Sequence, residues 1–130
     1  MIQLEVTCAI VLRGNSILAC QRGAHTDHPM EWEFPGGKID TGENAETCIV
    51  REIREELDIE VAVVKALLPV IHDYEFKKIR LIPFLCEIIS GEPRALEHES
   101  ICWQPIERFY ELKWSTADEK LFNINKAAIR

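Results

Sequence analysis

The chain has 130 residues, a length that fits one domain spanning 1–130 with a proper hydrophobic core. Its 47% hydrophobic and 28% charged residues are ordinary for a globular protein, and its formal net charge of −7 argues against a nucleic-acid polymer as partner, because such binders need basic surfaces. A small polyphosphate remains compatible with this charge, since metal ions can bring it to an acidic site.

The cysteines and histidines argue against both disulfides and zinc. The five cysteines are an odd number without close pairs, and each lies in an apolar stretch, so we predict reduced thiols in the core. The four histidines lack the close spacing of zinc ligands. No signal peptide precedes the first strand and no apolar run reaches the ~20 residues of a membrane span, so we expect a cytoplasmic protein without a membrane partner.

The N-terminal part is predicted to contain a β-hairpin and a polar loop. Residues 4–12 and 16–21 are rich in aliphatic side chains, and residues 13–15 supply the turn between them. Arg22 closes the second strand. The polar stretch 23–31 predicts an exposed loop at the border of a binding cleft.

A short extended segment then runs from Trp32 into the paired glycines Gly36 and Gly37, which are followed by Lys38. Glycines let backbone carbonyls and amides approach a ligand closely. We therefore expect this segment to contribute backbone atoms to a site.

An acidic helix over residues 43–57 follows. At about 100° per residue, one face gathers the small and aliphatic side chains, namely Ala45, Cys48, Ile49, Ile53 and Leu57. Glu52 and Glu56 fall inside that apolar sector, at roughly −20° and +20°. Arg51 and Arg54 fall on the far side. A solvated acidic face, the usual reading of a glutamate-rich helix, would place the two glutamates opposite the apolar residues, so we expect both carboxylates to point inward.

Two buried carboxylates one turn apart repel each other and require a cation between them. Glu55, at the edge of the same sector, adds a third carboxylate. Lysine or arginine can neutralise such a cluster, but glutamate oxygens beside a loop with free backbone carbonyls suit a hard divalent ion. Magnesium is therefore the first candidate.

The C-terminal half is predicted to add strands and a final helix. Residues 59–71 and 79–89 form a second hairpin, and the turn between them carries Tyr74 and Phe76, which are candidates for base stacking or for core packing. Residues 94–99 are a polar loop before an extended run at 101–103.

The chain closes with a short helix over residues 105–110 and a final helix that Ser115 caps and that reaches about Lys126. Strands and helices in this order imply an α/β fold, a mixed sheet sandwiched between helices.

The spacing from the glycine loop through the helix resembles the Nudix box of hydrolases that act on nucleoside-diphosphate-linked compounds. The residues that match are Gly37, Glu43, Arg51, Glu52, Ile53, Glu55, Glu56 and Ile59. The pattern fixes many positions over 23 residues, which makes chance agreement rare. Asp58 stands where the family has glycine, at a helix end where a left-handed backbone is commonly needed.

The resemblance implies a Nudix-type α/β/α sandwich and an enzyme like MutT. Such an enzyme hydrolyses a (d)NTP, either an oxidised guanine nucleotide such as 8-oxo-dGTP or a cytosine nucleotide, to the (d)NMP and pyrophosphate. It uses Mg²⁺ or Mn²⁺ and serves nucleotide pool sanitation and DNA repair. We expect a monomer or homodimer with a small nucleotide as its substrate.

The resemblance also assigns roles to residues. The metal ligands it implies are Gly36 through its carbonyl, Glu52, Glu56 and Glu97, with Glu55 as a further catalytic carboxylate. Either Glu52 or Glu97 takes the proton from water. It places Arg22 and Lys38 at the substrate phosphates, with a plain surface arginine as the alternative for Arg22. The other residues expected on the substrate side are Glu33, Tyr74, Phe76 and Asp118. Asp118 is either a reader of the nucleobase edge or a first-turn carboxylate that stabilises the helix dipole. Arg51 is expected to orient the loop through Glu43.

Two other functions remain open at this point. A Nudix hydrolase of another nucleoside diphosphate derivative would act on ADP-ribose or a dinucleoside polyphosphate. A non-catalytic Nudix domain would bind a nucleotide as a sensor, but such domains usually lose box glutamates, and all of them are present here.

Overall fold

The computed structural model describes residues 2–74 and 76–129. Its strands are β1 (Ile2–Arg13), β2 (Ser16–Gln21), β3 (Trp32–Glu33), β4 (Gly36–Lys38), β5 (Glu60–Ala66), β6 (Val70–Asp73), β7 (Lys77–Ser90) and β8 (Ser100–Pro105). Its α-helices are α1 (Ala45–Leu57) and α2 (Thr116–Asn125), and short 3-10 helices cover Ile106–Glu111 and Lys126–Ala128.

Strand β1 is the centre of a mixed sheet. It runs parallel to β7 from Ile2↔Lys77 to Val11↔Cys86, whereas its pairings with β2 and β4 are antiparallel. Strand β7 also pairs antiparallel with β5 and β6, and β2 pairs antiparallel with β3 and β8. The two predicted hairpins, β1–β2 and β6–β7, are therefore both confirmed.

The sheet carries a hydrophobic cluster on each face because successive strand residues point to opposite sides. In β1, Cys8 and Ile10 pack into the cluster that α2 covers with Leu121. Ala9 and Val11 pack into the other cluster, beneath Ile53 of α1. This arrangement confirms the predicted sheet between helices.

Two boundaries differ from the sequence prediction. Helix α1 begins at Ala45 rather than residue 43, because Asn44 is its cap and accepts a hydrogen bond from the Thr47 backbone N–H at 2.8 Å. The predicted strand over 59–71 is divided into β5 and β6. Pro69 lies in the gap and has no N–H, and the Leu68 N–H bonds the Asn125 side chain instead of a strand.

Helix α1 ends as predicted, with Asp58 in the left-handed region at φ 58° and ψ 38°. The loop after β7 caps the free carbonyls of this helix end. The Arg94 N–H donates to the Leu57 carbonyl at 2.9 Å, and the Leu96 N–H donates to the Glu56 carbonyl at 3.1 Å. The loop that carries Glu97 is thus fixed against the acidic helix.

The five cysteines are all free thiols, and four of them are buried, as predicted. Among the described residues, no helix is both long and apolar enough to cross a membrane.

Candidate active site

The inward placement of the two helix glutamates is confirmed. Glu56 is 6% exposed, and Glu52 is partly buried. Glu52 packs against Gly37, where an added Cβ would come within 2.4 Å of the Glu52 carboxyl carbon. Any larger residue at position 37 would therefore displace this carboxylate.

The paired glycines thus have a structural reason that the sequence prediction overlooked. A Cβ on Gly36 would lie 2.0 Å from the Thr7 carbonyl oxygen, so only glycine lets β4 pair this closely with β1. Because they lack a Cβ, the glycines make space for the backbone of β1 and for the Glu52 carboxylate, as well as for a ligand.

Arg51 does not stay on the far side of the helix, and that prediction is wrong. Its guanidinium donates to Glu43 at 2.7 and 2.9 Å, as expected, but Nη1 also reaches Glu52 at 3.0 Å and Glu55 at 2.9 Å. A long side chain can bend around the helix, which a projection of Cα positions ignores. The Arg51 hydrogen bonds lower the pKa of Glu43 to about 2.

Glu56, in contrast, lies among like charges. Burial, the hydrogen bond with Glu52, and the charges of Glu52, Glu97 and Glu33 together raise its pKa well above the usual range of a carboxyl. His98 Nε2 lies 3.7 Å from Glu56 Oε1. Arg51 therefore compensates one side of the carboxylate cluster and leaves Glu56 uncompensated.

The two other predicted catalytic carboxylates lie farther out. Glu55 is 46% exposed in its side chain and is hydrogen-bonded to Arg51. Glu97 is exposed on the capping loop, close enough for its charge to act on Glu56.

A cavity of about 320 Å³ opens beside this cluster. Its lining includes the predicted residues Arg22, Glu33, Gly36, Tyr74 and Asp118. The volume lies at the low end of those seen for small-ligand pockets. The segment 33–37 joins the two parts of the site, because Glu33 and Gly36 line the cavity while Gly37 touches Glu52.

Arg22 and Glu33 form a partly buried pair at this cavity. Arg22 Nη1 donates to Glu33 Oε1 at 2.8 Å, and Arg22 Nε donates to the Asp27 carbonyl at 2.7 Å. The other oxygen of Glu33, Oε2, lies 3.0 Å from His98 Nε2. Burial raises the pKa of Glu33, but the hydrogen bonds from His98 and Arg22 outweigh burial and leave the pKa below its ordinary value.

Asp118 lies in the first turn of α2, as predicted, but it is buried at 8% exposure. Its Oδ1 accepts a hydrogen bond from the Phe34 N–H at 3.0 Å, and its Oδ2 bonds the Ser115 hydroxyl. Burial raises the pKa of Asp118 to about 7, against the opposing effect of these two hydrogen bonds. Asp118 thus ties α2 to the segment before the glycines and also faces the cavity.

The two aromatic candidates, Tyr74 and Phe76, lie in different environments. Tyr74 lines the cavity, with its ring edge-on to His72 at 4.7 Å between centroids. Phe76 is 80% exposed and does not line this cavity, so the core-packing alternative is wrong for it. Lys38, the second predicted phosphate contact, is exposed on β4.

A sequence model of the NUDIX domain family matches residues 1–123. The chain belongs to the Nudix family. Its fold, its acidic helix and its glycine loop are those of a Nudix hydrolase, as the box predicted.

Relatives named for nucleotide hydrolysis match most of this Nudix chain. A CTP pyrophosphohydrolase of Escherichia coli (strain K12) is 33% identical over 118 residues, which covers 91% of this chain and 87% of that protein. A putative 8-oxo-dGTP diphosphatase 2 of Mycobacterium tuberculosis is 31% identical over 119 residues, with 91% and 84% covered. The solution structure of the E. coli ORF135 protein has a TM-score of 0.85 at 32% identity, covering 100% of this chain and 92% of that one.

Nudix hydrolases generally need a divalent metal ion. Within residues 2–74 and 76–129, no three acidic, histidine or cysteine side chains are grouped closely enough to hold one by themselves. The chemistry of the cluster nevertheless fits a cation, because a buried Glu56 among three other carboxylates needs positive charge. A backbone oxygen, such as that of Gly36, would have to complete the donor set.

The sequence prediction missed several residues of the candidate site. These are Thr7, His28, Lys77, His98 and Ser115 as a partner of Asp118. Thr7 gave a usable signal, since it is a polar residue inside an apolar strand, and its hydroxyl donates to the Gly37 carbonyl at 3.0 Å. His98 gave none, because its neighbours in the loop are polar and exposed.

Proposed function

We propose that this chain hydrolyses a nucleoside triphosphate to the monophosphate and pyrophosphate, with Mg²⁺ as its ion and Mn²⁺ as the alternative. The observation that carries the proposal is the junction at residues 33–37, where a cavity of nucleobase size adjoins a carboxylate cluster in need of a cation. The names of the bacterial relatives support the same substrate class.

Arg22 and Lys38 bind the phosphates in this proposal. Arg22 is held by Glu33 through Nη1 and by the Asp27 carbonyl through Nε. Its third nitrogen, Nη2, makes no hydrogen bond within the described part of the chain, so it is available to a phosphate oxygen in the cavity that Arg22 lines. Lys38 is exposed on β4, next to the glycine that packs on Glu52. Both side chains belong to segments that border the site, since Arg22 bonds Glu33 and Lys38 follows Gly37 in β4.

Glu52, Glu56, Glu97 and the carbonyl of Gly36 would hold the ion. When bound, a divalent cation supplies charge neutralisation of the phosphates and lowers the pKa of water. A water molecule attacks a phosphorus atom of the triphosphate, and the bond from that phosphorus to the oxygen of the leaving group breaks. A carboxylate of the site takes the proton from the water. Glu52 and Glu97 are the two candidates for that base. Arg51 keeps Glu52 oriented, since its Nη1 donates to Glu52 Oε1.

Asp118 reads the nucleobase. Each of its oxygens has one protein partner and keeps a second lone pair for a ligand. An ionised carboxylate accepts hydrogen bonds and favours an exocyclic amino group such as that of cytosine. With a pKa of about 7, the carboxyl is also partly protonated at neutral pH and can then donate to an acceptor on oxidised guanine.

A screen of nucleotides with Mg²⁺, read by the release of pyrophosphate or phosphate, tests the proposal. We expect pyrophosphate and a monophosphate from a cytosine or oxidised-guanine nucleoside triphosphate. Release of AMP from ADP-ribose or from a dinucleoside polyphosphate would move the enzyme to the other Nudix substrates. Nucleotide binding without turnover of any substrate would identify a sensor domain instead.

Replacing Asp118 with asparagine tests the base reading. Asparagine keeps an acceptor for the Phe34 N–H and exchanges the other oxygen for a donor. We expect the ratio of kcat/KM between cytosine and oxidised-guanine nucleotides to shift by about tenfold, corresponding to ~1.4 kcal/mol. An unchanged ratio with altered stability would leave Asp118 with the capping and tethering role alone.

A further inference from the structure

His98 is more buried than the loop residues around it. The side chain of His98 is 8% exposed, whereas its neighbours Leu96, Glu97 and Glu99 are exposed. Polar loops usually leave their side chains in water. This loop instead turns one imidazole inward, toward the junction of the cavity and the carboxylate cluster.

The backbone of the loop fixes where that imidazole lies. The Leu96 N–H donates to the Glu56 carbonyl at 3.1 Å, and the Glu99 N–H donates to the Gln21 carbonyl at 2.9 Å. One side of the loop is therefore attached to α1 and the other to the end of β2. His98 lies between these two attachments, so its position is set by main-chain hydrogen bonds.

The imidazole contacts both halves of the site. Its Nε2 lies 3.0 Å from Glu33 Oε2 and 3.7 Å from Glu56 Oε1. The other oxygen of Glu33 accepts from Arg22 at 2.8 Å. Because Glu33 has a lowered pKa, it is ionised at neutral pH and can only accept, so His98 Nε2 carries the hydrogen and donates it.

Packing alone does not account for a histidine at this position. Its second nitrogen, Nδ1, is buried and has no hydrogen-bond partner among the described residues. A buried polar atom without a partner costs free energy, so an apolar side chain would fill the same space better. The Nε2–H group is the part of the ring that gains from the site.

We propose that His98 is a positioning residue of this enzyme, whose Nε2–H orients Glu33 so that Glu33 holds the Arg22 guanidinium against the cavity. The inference rests on the proposed nucleotide hydrolysis, in which Arg22 binds substrate phosphates. His98 itself touches neither the substrate nor the reacting atoms. Its loss therefore weakens substrate binding more than it slows the chemical step.

Two amide variants, His98→Gln and His98→Asn, distinguish a hydrogen-bond donor at the position of Nε2 from a polar group placed elsewhere. In glutamine the side-chain amide reaches the position of His Nε2, whereas in asparagine it matches Nδ1. We expect His98→Asn and His98→Leu to raise KM for the nucleotide about tenfold while kcat changes less than about threefold. His98→Gln should return KM to within about threefold of wild type. The matched control is His25→Leu, an exposed histidine of another loop, which should leave both constants unchanged.

A double-mutant cycle tests whether His98 acts through Glu33. If it does, His98→Leu should add little to the KM of Glu33→Gln, because the bond it makes is already lost. Any of three results would overturn the proposal. These are increases in KM that multiply in the double variant, equal KM values for His98→Gln and His98→Asn, or a loss confined to kcat. The Gln and Asn comparison decides the matter even where the Leu variant does not fold.

A readout without substrate keeps this inference separate from the proposed function. The side-chain Nε–H resonance of Arg22, assigned by its disappearance in Arg22→Lys, reports whether the guanidinium is held against the Asp27 carbonyl. We expect it to shift or broaden in His98→Asn and to persist in His98→Gln. Should wild type hydrolyse no nucleoside triphosphate, the proposed function fails, and this spectrum still shows whether His98 holds Arg22. An unchanged resonance in His98→Asn contradicts the role.

Discussion

At the scale of single residues, the site is organised by how charge is shared among carboxylates. Arg51 touches Glu43, Glu52 and Glu55 within hydrogen-bond distance, so one arginine serves three glutamates. Glu56 is the carboxylate that Arg51 does not reach, and it is also the most buried of the helix glutamates. Residues of the same type in one helix therefore have different electrostatic roles.

Replacing Glu56 with glutamine should abolish turnover while preserving the fold. Glutamine keeps the volume of the side chain but removes the charge that the ion needs, so we expect a loss of roughly a hundredfold or more in kcat, at least ~2.7 kcal/mol. The control is Glu46→Gln, an exposed glutamate in the first turn of the same helix. Full Mg²⁺-dependent activity in Glu56→Gln would refute the role of the carboxylate cluster.

Asp118 should make the stability of the protein depend on pH. Its pKa is about 7 in the folded chain and about 3.9 in the unfolded chain, so between those values the folded chain binds more protons. The free energy of unfolding therefore falls as pH rises through this window and levels off above about pH 7. The charges of Glu33 and Arg22 bear on the same group, in opposite directions.

Asp118→Asn isolates this effect. Unfolding by urea at pH 5 and pH 8 should show that wild type loses about 2 kcal/mol more than the variant between the two values. Parallel behaviour of the two proteins would mean that Asp118 ionises in the folded chain as easily as in water.

At the scale of elements, helix α1 is defined by its two ends. Asn44 caps the N-terminus with its side chain, and the loop with Arg94 and Leu96 caps the C-terminal carbonyls. This second contact brings the loop of Glu97 and His98 to the helix. The same hydrogen bonds that end the helix therefore bring this loop to the candidate site.

Asp58→Gly should stabilise the protein without changing turnover. Asp58 occupies the left-handed region, which glycine adopts at lower cost, so we expect a gain of roughly 0.5–1 kcal/mol in the free energy of unfolding. The Asp58–Arg94 ion pair at 3.4 Å opposes this gain only slightly, because both side chains are mostly exposed.

Chemical denaturation of Asp58→Gly beside Arg94→Ala measures the two contributions separately. A net loss of stability in Asp58→Gly larger than the loss in Arg94→Ala would show that the Asp58 side chain matters more than its backbone conformation.

At the scale of the whole molecule, the sheet separates the carboxylate cluster from Asp118, and the two approach each other at one segment. Helix α1 brings the carboxylates to one face, and α2 brings Asp118 to the other. The segment 33–37 passes between them, with Phe34 bonded to Asp118 and Gly37 against Glu52. The carboxylate cluster and Asp118 are thus connected through four residues of backbone.

Binding of Mg²⁺ should stabilise the folded protein as a whole. An ion that binds only the folded state adds about 2.7 kcal/mol at a hundred times its Kd. We expect the thermal midpoint of wild type to rise with Mg²⁺ and to fall again with a chelator, and Glu56→Gln to show a much smaller rise. An equal rise in both proteins would mean that Mg²⁺ binds elsewhere.

The helix and its inward glutamates could be predicted from the sequence because they depend on a local period. The angles of Glu52 and Glu56 follow from 3.6 residues per turn, and the Asp58 conformation follows from a break in a local pattern. Phe76 shows the limit of such reasoning. Large aromatic side chains are ordinarily buried, yet that of Phe76 is 80% exposed, while Tyr74 of the same turn lines the cavity.

Residue types at short, fixed spacings were enough to predict the fold class, the acidic helix, the glycine loop and the family. Three contacts, in contrast, are visible only in the folded chain: Arg51 bends back to Glu52, Asp118 bonds Phe34, and His98 reaches Glu33. The last two contacts join residues 84 and 65 positions apart. Their partners are chosen by strand pairing and loop capping, which bring distant segments together and leave no periodic trace in the chain.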